Sequence, residues 1–356
     1  MTTPPNAAAA RVVETVATPA PNPGPGGHPV PPSNRGFTTI DVNTETYLGV
    51  RQPDRIKPKL ELVLSNHSYP PRVKDLASDW VAHVAVPAFK LYRRQHGNAP
   101  IESFCSIGTG SGVDVLAASE LLGARRVGLT DVHEDVVATA TDNIARNHLP
   151  GRPLVIEAGF GDLLAPLKRF NRRYALIYEN LPNVPLSNRA DLAAERKSST
   201  HVPPRAEKIP ELVRQQMLDL HYLALGQARD FLAPGGAVLS ILGARVPLEV
   251  FLTLGRLAGY APSFLTYAWK VQADPEEVIH DHAQKQKEGF GPFYFYRAAV
   301  LEQTFATLDP ATSGARALEI ERSLQPDRLD AASAYELLLR GERIGHTVAV
   351  LQSELK

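Results

Sequence analysis

The 356-residue sequence predicts a doubly wound α/β fold on three observations. From Ile101 onward, short apolar runs alternate with helical stretches of roughly ten to twenty residues. A glycine-rich segment, Gly108-Thr-Gly-Ser-Gly112, directly follows the first run. Acidic or amide residues then stand at or just after the ends of the next three runs. Such alternation makes βαβ units around a mainly parallel sheet, and the ligand of such a sheet sits at the carboxyl ends of its strands.

Residues 1–36 are rich in Pro, Ala, Gly and Thr, as in Pro19-Ala-Pro-Asn-Pro-Gly-Pro-Gly-Gly27. They carry too little apolar surface to offset the entropy of ordering, so a disordered tail is expected. Residues 37–98 form an N-terminal helical or lid segment. A helix is expected over Val73–Gln95, where Trp80, Val81, Val84 and Phe89 recur at near-helical spacing. The main domain spans 99–304. Its expected strands are Ser103–Ile107, Arg126–Thr130, Leu154–Glu157, Tyr174–Tyr178 and Ala237–Leu242. Its expected helices are Val113–Leu122, Glu134–Asn147, Pro210–Leu232 and Pro247–Ala258. Pro234-Gly235-Gly236 is a turn into the fifth strand, and the aromatic run Phe290–Val300 is a candidate antiparallel edge strand. Residues 305–356 are expected as a mostly helical C-terminal extension.

Composition narrows the function. Lys plus Arg equals Asp plus Glu at 38 each, so no net charge draws the chain to nucleic acid or anionic lipid. No apolar run is long enough to span a membrane, and Met1–Ala10 lacks the basic-then-apolar pattern of a secretory signal. Cys105, the one cysteine, lies in an apolar run and is expected in the core. Alone, it can form neither an internal disulfide nor a Cys-rich zinc site. A cytoplasmic, reducing location is expected.

Gly108, Gly110 and Gly112 let a turn tighten and let its backbone approach a ligand. Asp131 ends the second strand, where a carboxylate can accept both ribose hydroxyls of an adenosyl group, and Val132 follows it. Gly161 and Asp162 follow the third strand, where an acid can accept from an adenine amino group. Asn180 and Asn183 lie at the fourth strand end. The loop reads G-x-G-x-G rather than the G-x-G-x-x-G of a nicotinamide-dinucleotide site, and it lacks the Gly-Lys-Ser/Thr of a phosphate loop. His280-Asp-His282 has no further matched ligand nearby, so no metal is expected.

Residues 103–185 resemble class I S-adenosylmethionine-dependent methyltransferases, in the group that includes the glutamine methyltransferases of release factors. The resemblance rests on Gly108-Thr-Gly-Ser-Gly112, Thr130-Asp131, Gly161-Asp-Leu-Leu-Ala-Pro166 and Asn180-Leu-Pro182. It implies a Rossmann-like, seven-stranded mixed sheet. It also implies S-adenosyl-L-methionine as co-substrate, held by Gly108, Thr109, Gly110, Gly112, Asp131, Val132, Gly161, Asp162 and Asn180. Two departures stand out. The family has an acid where this chain has Ser106, and Asn-Pro-Pro-Tyr where it has Asn180-Leu-Pro-Asn183. The missing aromatic argues against planar amide and nucleobase acceptors.

A longer resemblance, over about residues 60–355, is to the methyltransferase domain of methionine S-methyltransferases. Its pieces are Asn180-Leu-Pro-Asn-Val184, Gly243-Ala-Arg245, Gly259-Tyr260, Gln272-Ala-Asp274, Phe293-Tyr-Phe295, Ala334-Tyr335 and Ile344-Gly-His346. It implies a small-molecule acceptor, L-methionine, whose thioether needs no general base. Arg245 is the candidate for the acceptor carboxylate, because a guanidinium fork matches a carboxylate. Tyr69 and Arg72, in Tyr69-Pro-Pro-Arg72, are expected to fold over the cofactor. Asn180 and Tyr69 are the catalytic candidates. Arg72, Asn183, Arg245, Tyr294, Tyr335 and His346 are the acceptor-binding candidates, with Trp269 or Tyr294 as a ring for a sulfonium. The polar stretch Asp191–Arg205 resembles a lid. The alternatives are an N-methyltransferase of a protein glutamine amide or small amine, and a non-catalytic S-adenosylmethionine-binding subunit; a homo-oligomer is compatible with each.

Overall fold

The computed structural model describes residues 13–14, 38–185, 201–202 and 205–356. The expected tail, residues 1–36, lies outside them except for a two-residue strand, β1 (Val13–Glu14). The proposed lid Asp191–Arg205 also lies outside them, except for His201, Val202 and Arg205. The strands that follow are β2 (Thr38–Asn43), β3 (Lys59–Leu64), β4 (Ser103–Ile107), β5 (Arg126–Asp131), β6 (Val155–Phe160), β7 (Tyr174–Glu179), β8 (Val184–Pro185), β9 (His201–Val202), β10 (Leu232–Ala244), β11 (Tyr260–Val271), β12 (Tyr294–Arg297), β13 (Leu329–Asp330) and β14 (Ile344–Leu355).

The central sheet runs β6-β5-β4-β7-β10-β14-β11. Five parallel strands reverse at β4, and β14 lies antiparallel between β10 and β11. Because the sheet turns outward in both directions from β4, the crevice above β4 and β7 is its topological switch point. Apolar cores cover both faces. The helix Val113–Leu122 is almost wholly buried because the helix Val86–Gln95 packs outside it.

Residues 305–356 are not simply a helical extension, because Ile344–Leu355 form β14 in mid-sheet. Ile344–Ser353 is buried without interruption. A strand covered on both faces shows no polar alternation, so its sequence gives no period of two. The domain therefore does not close at 304. The aromatic run Phe290–Val300 yields only β12, which pairs with the first two residues of β14 and with β13. The long strand β11 is not among the expected strands.

The N-terminal segment also differs. A hairpin, β2–β3, precedes the helix. The helical stretch starts with Leu76–Ser78, widens over Val81–Ala85 and settles as Val86–Gln95. Pro87 has no N–H to close the turn before it, which accounts for the wide turn there. Two asparagines of the helix Glu134–Asn147 hold β3 as a neighbouring strand would. The Asn143 amide bonds both the N–H and the carbonyl of Val63, at 2.8 Å each. Asn147 does the same for Glu61, at 2.9 and 2.8 Å. This anchors the hairpin to the main domain and carries Ser65–Arg72 across the sheet's carboxyl edge.

Candidate active site

A cavity of about 540 Å³ opens at the carboxyl ends of β4, β5, β7 and β10, within the roughly 300–1,000 Å³ of small-ligand sites. Gly108, Gly110 and Gly112 line or border it in the left-handed backbone region, which tolerates glycine best. Their roles differ. A Cβ on Gly112 would press on the helix Glu134–Asn147, 3.1 Å from the Ala140 carbonyl, whereas a Cβ on Gly110 would meet nothing within 4 Å. Gly112 thus lets the loop dock on that helix, and Gly110 keeps the loop bare where the cavity begins.

Asp131 lines the cavity at the end of β5. Its carboxylate accepts from the backbone N–H groups of Gly110 at 3.3 Å and His133 at 3.2 Å, and burial pushes it up to about 6. Val132, 63% exposed, provides an apolar wall beside it. Thr109, Gly161, Asp162, Asn180 and Asn183 also line the cavity. Asp162 is already engaged, since Arg205 grips both its oxygens at 2.7 and 3.1 Å.

Sequence reasoning missed Asp114. This fully buried carboxylate lines the cavity from the first turn of the helix Val113–Leu122. It accepts from the hydroxyls of Ser106 and Thr109 and from the Val115 N–H, and burial raises it to about 6. The acid absent at position 106 therefore stands eight residues later, bonded to Ser106 itself. The helix carries a second acid, Glu120, and nothing in the sequence marks Asp114 as the one that faces the cavity.

Arg245 is buried, lines the cavity and has no carboxylate partner among the described residues. It donates to Gln272 Oε1 at 2.7 Å and to His346 Nε2 at 3.1 Å, and its Nε has no partner. Desolvation lowers it to about 9. The guanidinium folds back over Gly243, where a Cβ would lie 2.2 Å from Nη1. His346 is buried, its Nδ1 is held by the Thr347 carbonyl at 2.9 Å, and burial beside Arg245 keeps its basicity well below the ordinary value. With Nδ1 donating, its Nε2 can accept from Arg245. His346 therefore orients Arg245 and does not itself line the cavity.

Four further expected contacts, those of Tyr294, Tyr335, Arg72 and Trp269, are not formed. Tyr294 lies under Arg328, 4.3 Å from its guanidinium, and gives the site only its backbone N–H, which bonds the Arg245 carbonyl at 2.6 Å. The ring facing Arg245 is its neighbour Phe295, at 5.7 Å, because alternate strand residues point to opposite faces. Tyr335 packs on His280 away from the cavity. Arg72 does not line the cavity. It donates to Tyr69 Oη at 2.8 Å and pairs with Asp274 at 2.5 Å, which ties the Tyr69 strap across the opening; Tyr69 and Asp274 both line it. Trp269 packs at the core margin and is absent from the cavity wall, which carries Trp80 instead. Cys105 is buried, as expected.

At the mouth, the rings of His67 and His133 stack 4.3 Å apart, 7° from parallel. With Asp135 they form a group whose ligand atoms lie within 4.8 Å of one another. His282, two residues from His280 on the same helix, is buried on the cavity wall. Its Nδ1 bonds the Val278 carbonyl, and desolvation lowers it to about 3.

No protein-family model matches the sequence, and no curated protein does. Among solved structures, the chain is similar to the ribosomal protein L11 methylase of Lactobacillus delbrueckii subsp. bulgaricus, at 18% identity over 50% of this chain and 69% of that one, with a TM-score of 0.33. It is similar to a SAM-dependent methyltransferase of Agrobacterium tumefaciens, at 14% identity over 60% and 63%, with a TM-score of 0.35. It is also similar to the precorrin-6y C5,15-methyltransferase of Geobacter metallireducens, at 12% identity over 53% and 78%, with a TM-score of 0.30. Likeness at this level says nothing about the acceptor. The fold class stands on the chain's own strand pairing. Among the described residues, no helix is long and apolar enough to cross a membrane.

Proposed function

We propose that the chain transfers a methyl group from S-adenosylmethionine to a small acceptor bearing a carboxylate, and that this acceptor is the thioether sulfur of L-methionine. The products are then S-methylmethionine and S-adenosylhomocysteine. The observation that carries the reading is Arg245, a buried guanidinium without an acidic partner in the cavity of the glycine loop. Burying an unpaired charge is costly, and a ligand carboxylate would complete the fork.

The residues fit the methyl donor. Gly110 leaves open space, Asp131 offers a carboxylate for the ribose hydroxyls, and Asp114 offers one for the donor's amino group. Bound there, S-adenosylmethionine supplies an electrophilic methyl on a sulfonium. A thioether is already nucleophilic and has no proton to lose, so the residues need only align it and exclude water. Asn180, Asn183, Trp80 and the Tyr69 strap surround that space.

The test is a methyl-transfer assay with labelled S-adenosylmethionine and free L-methionine, scored by mass spectrometry. S-methylmethionine is the expected product. Donor binding without that product removes methionine as the acceptor and leaves the donor site standing.

A further inference from the structure

Glu179, the last residue of β7, is fully buried. His221, near the start of the helix Asp219–Phe231, is 2% exposed and lines the cavity. Its Nδ1 lies 2.9 Å from both Glu179 oxygens. A carboxylate can only accept there, so Nδ1 donates, and Nε2 remains as the ring's second polar atom with a lone pair to offer. The carboxylate behind the ring strengthens that acceptor. Among the described residues, no Lys or Arg pairs with Glu179, and His221 is this buried carboxylate's ionisable partner.

Arg245 is the converse, a buried positive charge without an acid. The two stand on neighbouring strands. Glu179 pairs with Ser240, and Arg245 lies five residues beyond Ser240, just past the carboxyl end of β10. The Arg245 guanidinium folds back over Gly243, three residues beyond Ser240, and Arg245 and His221 both line the one cavity. A buried acid behind the wall residue His221 and a buried cation on the wall of the same cavity, neither paired with the other, suit a ligand carrying both signs.

We infer that the Glu179–His221 dyad is the subsite for the acceptor's α-ammonium group, so the enzyme reads a free zwitterionic α-amino acid, with the carboxylate on Arg245 and the ammonium on His221. This rests on the carboxylate-bearing acceptor proposed above and adds a second determinant to it. A dyad of this form also suits a general base. A thioether has no proton to give one, whereas an ammonium group donates directly to Nε2.

The test uses the full chain saturated with S-adenosylhomocysteine. Calorimetry compares L-methionine with 4-(methylsulfanyl)butanoate, which lacks the amino group, and 3-(methylsulfanyl)propylamine, which lacks the carboxylate. The same three are assayed for methyl transfer with S-adenosylmethionine. Wild type is expected to bind L-methionine at least tenfold more tightly than either analogue. His221→Ala should raise the Kd and KM of L-methionine at least tenfold while leaving those of the deaminated acid unchanged. Glu179→Gln should act in the same direction by a smaller factor, and His221→Asn keeps the test alive if the alanine variant does not fold. Equal wild-type affinity for methionine and its deaminated acid overturns the subsite. So does a His221 variant that lowers kcat with a shifted pH profile at unchanged KM, which marks a base. If no thioether is methylated, the methionine reading falls separately. The subsite then stands or falls on whether wild type, but not His221→Ala, prefers free L-amino acids over their deaminated acids in calorimetry.

Discussion

The Ser106 hydroxyl donates to the Asp114 carboxylate, joining the end of β4 to the first turn of the helix that follows the glycine loop. Three donors hold that carboxylate, and each favours its charged form, yet burial still raises it to about 6. A donor's amino group would bind the ionised form. S-adenosylhomocysteine affinity is therefore expected to be flat above about pH 6 and to fall as the pH drops through that value. Ser106→Ala removes a donor that favours ionisation, so the fall should begin at higher pH. Asp114→Asn should weaken binding about tenfold or more at neutral pH. Calorimetry from pH 5 to 8 measures all three, and an Asp114→Asn variant with wild-type affinity removes Asp114 from the site.

Asp131 carries a trade between binding and stability. Its folded-state pKa, about 6, lies above the ordinary 3.8, so the ionised carboxylate costs the ligand-free fold stability at neutral pH. That cost disappears as the pH falls through about 6 toward 3.8. Asp131→Asn is expected to leave the ligand-free melting temperature at neutral pH unchanged or raised, and to weaken S-adenosylhomocysteine binding by about tenfold or more. Thermal melts with and without ligand check both halves. A lowered ligand-free Tm would mean that the bonds from Gly110 and His133 outweigh the burial cost.

The donor half of this site is legible in the sequence because it is local. Gly108 to Gly112, Asp131 and Gly161 follow their strands directly, so strand order alone gathers them at one edge. The acceptor half is assembled by distant pairing. His346 reaches Arg245 only because β14 returns to mid-sheet beside β10, and its run of apolar residues lacks the alternation that would mark a strand. The ring facing Arg245 is Phe295 rather than Tyr294, because a four-residue strand does not reveal in sequence which face is inward. Glu179 and His221 are 42 residues apart, and nothing in either local pattern joins them.

The contact between Gly243 and Arg245 gives a substitution that spares the donor. A Cβ at 243 would lie 2.2 Å from Nη1 and push the guanidinium from its place. Gly243→Ala and Arg245→Lys are both expected to raise the methionine KM by about thirtyfold, the loss of about 2 kcal/mol of charge-assisted bonding. The S-adenosylhomocysteine Kd should move less than threefold. Steady-state kinetics with a parallel titration separates the two. A larger loss of donor affinity than of acceptor affinity would assign Arg245 to the donor instead.

Arg72 and Asp274 lie 202 residues apart and hold the Tyr69 strap over the cavity. The pair is partly exposed, at 29% and 53% of the two side chains, so it contributes less than about 1 kcal/mol to folding. Its effect is expected on turnover. Arg72→Ala and Asp274→Asn should each lower kcat/KM several-fold, speed amide exchange over residues 65–72 and shift Tm by no more than about 2 °C. Because Arg72→Ala already removes the contact that Asp274→Asn removes, the double variant should be no worse than Arg72→Ala alone. The reversed pair, Arg72→Asp with Asp274→Arg, should recover part of the loss. Additive losses in the double variant would mean that the two residues act separately, and the strap would then be held by the Arg72–Tyr69 hydrogen bond alone.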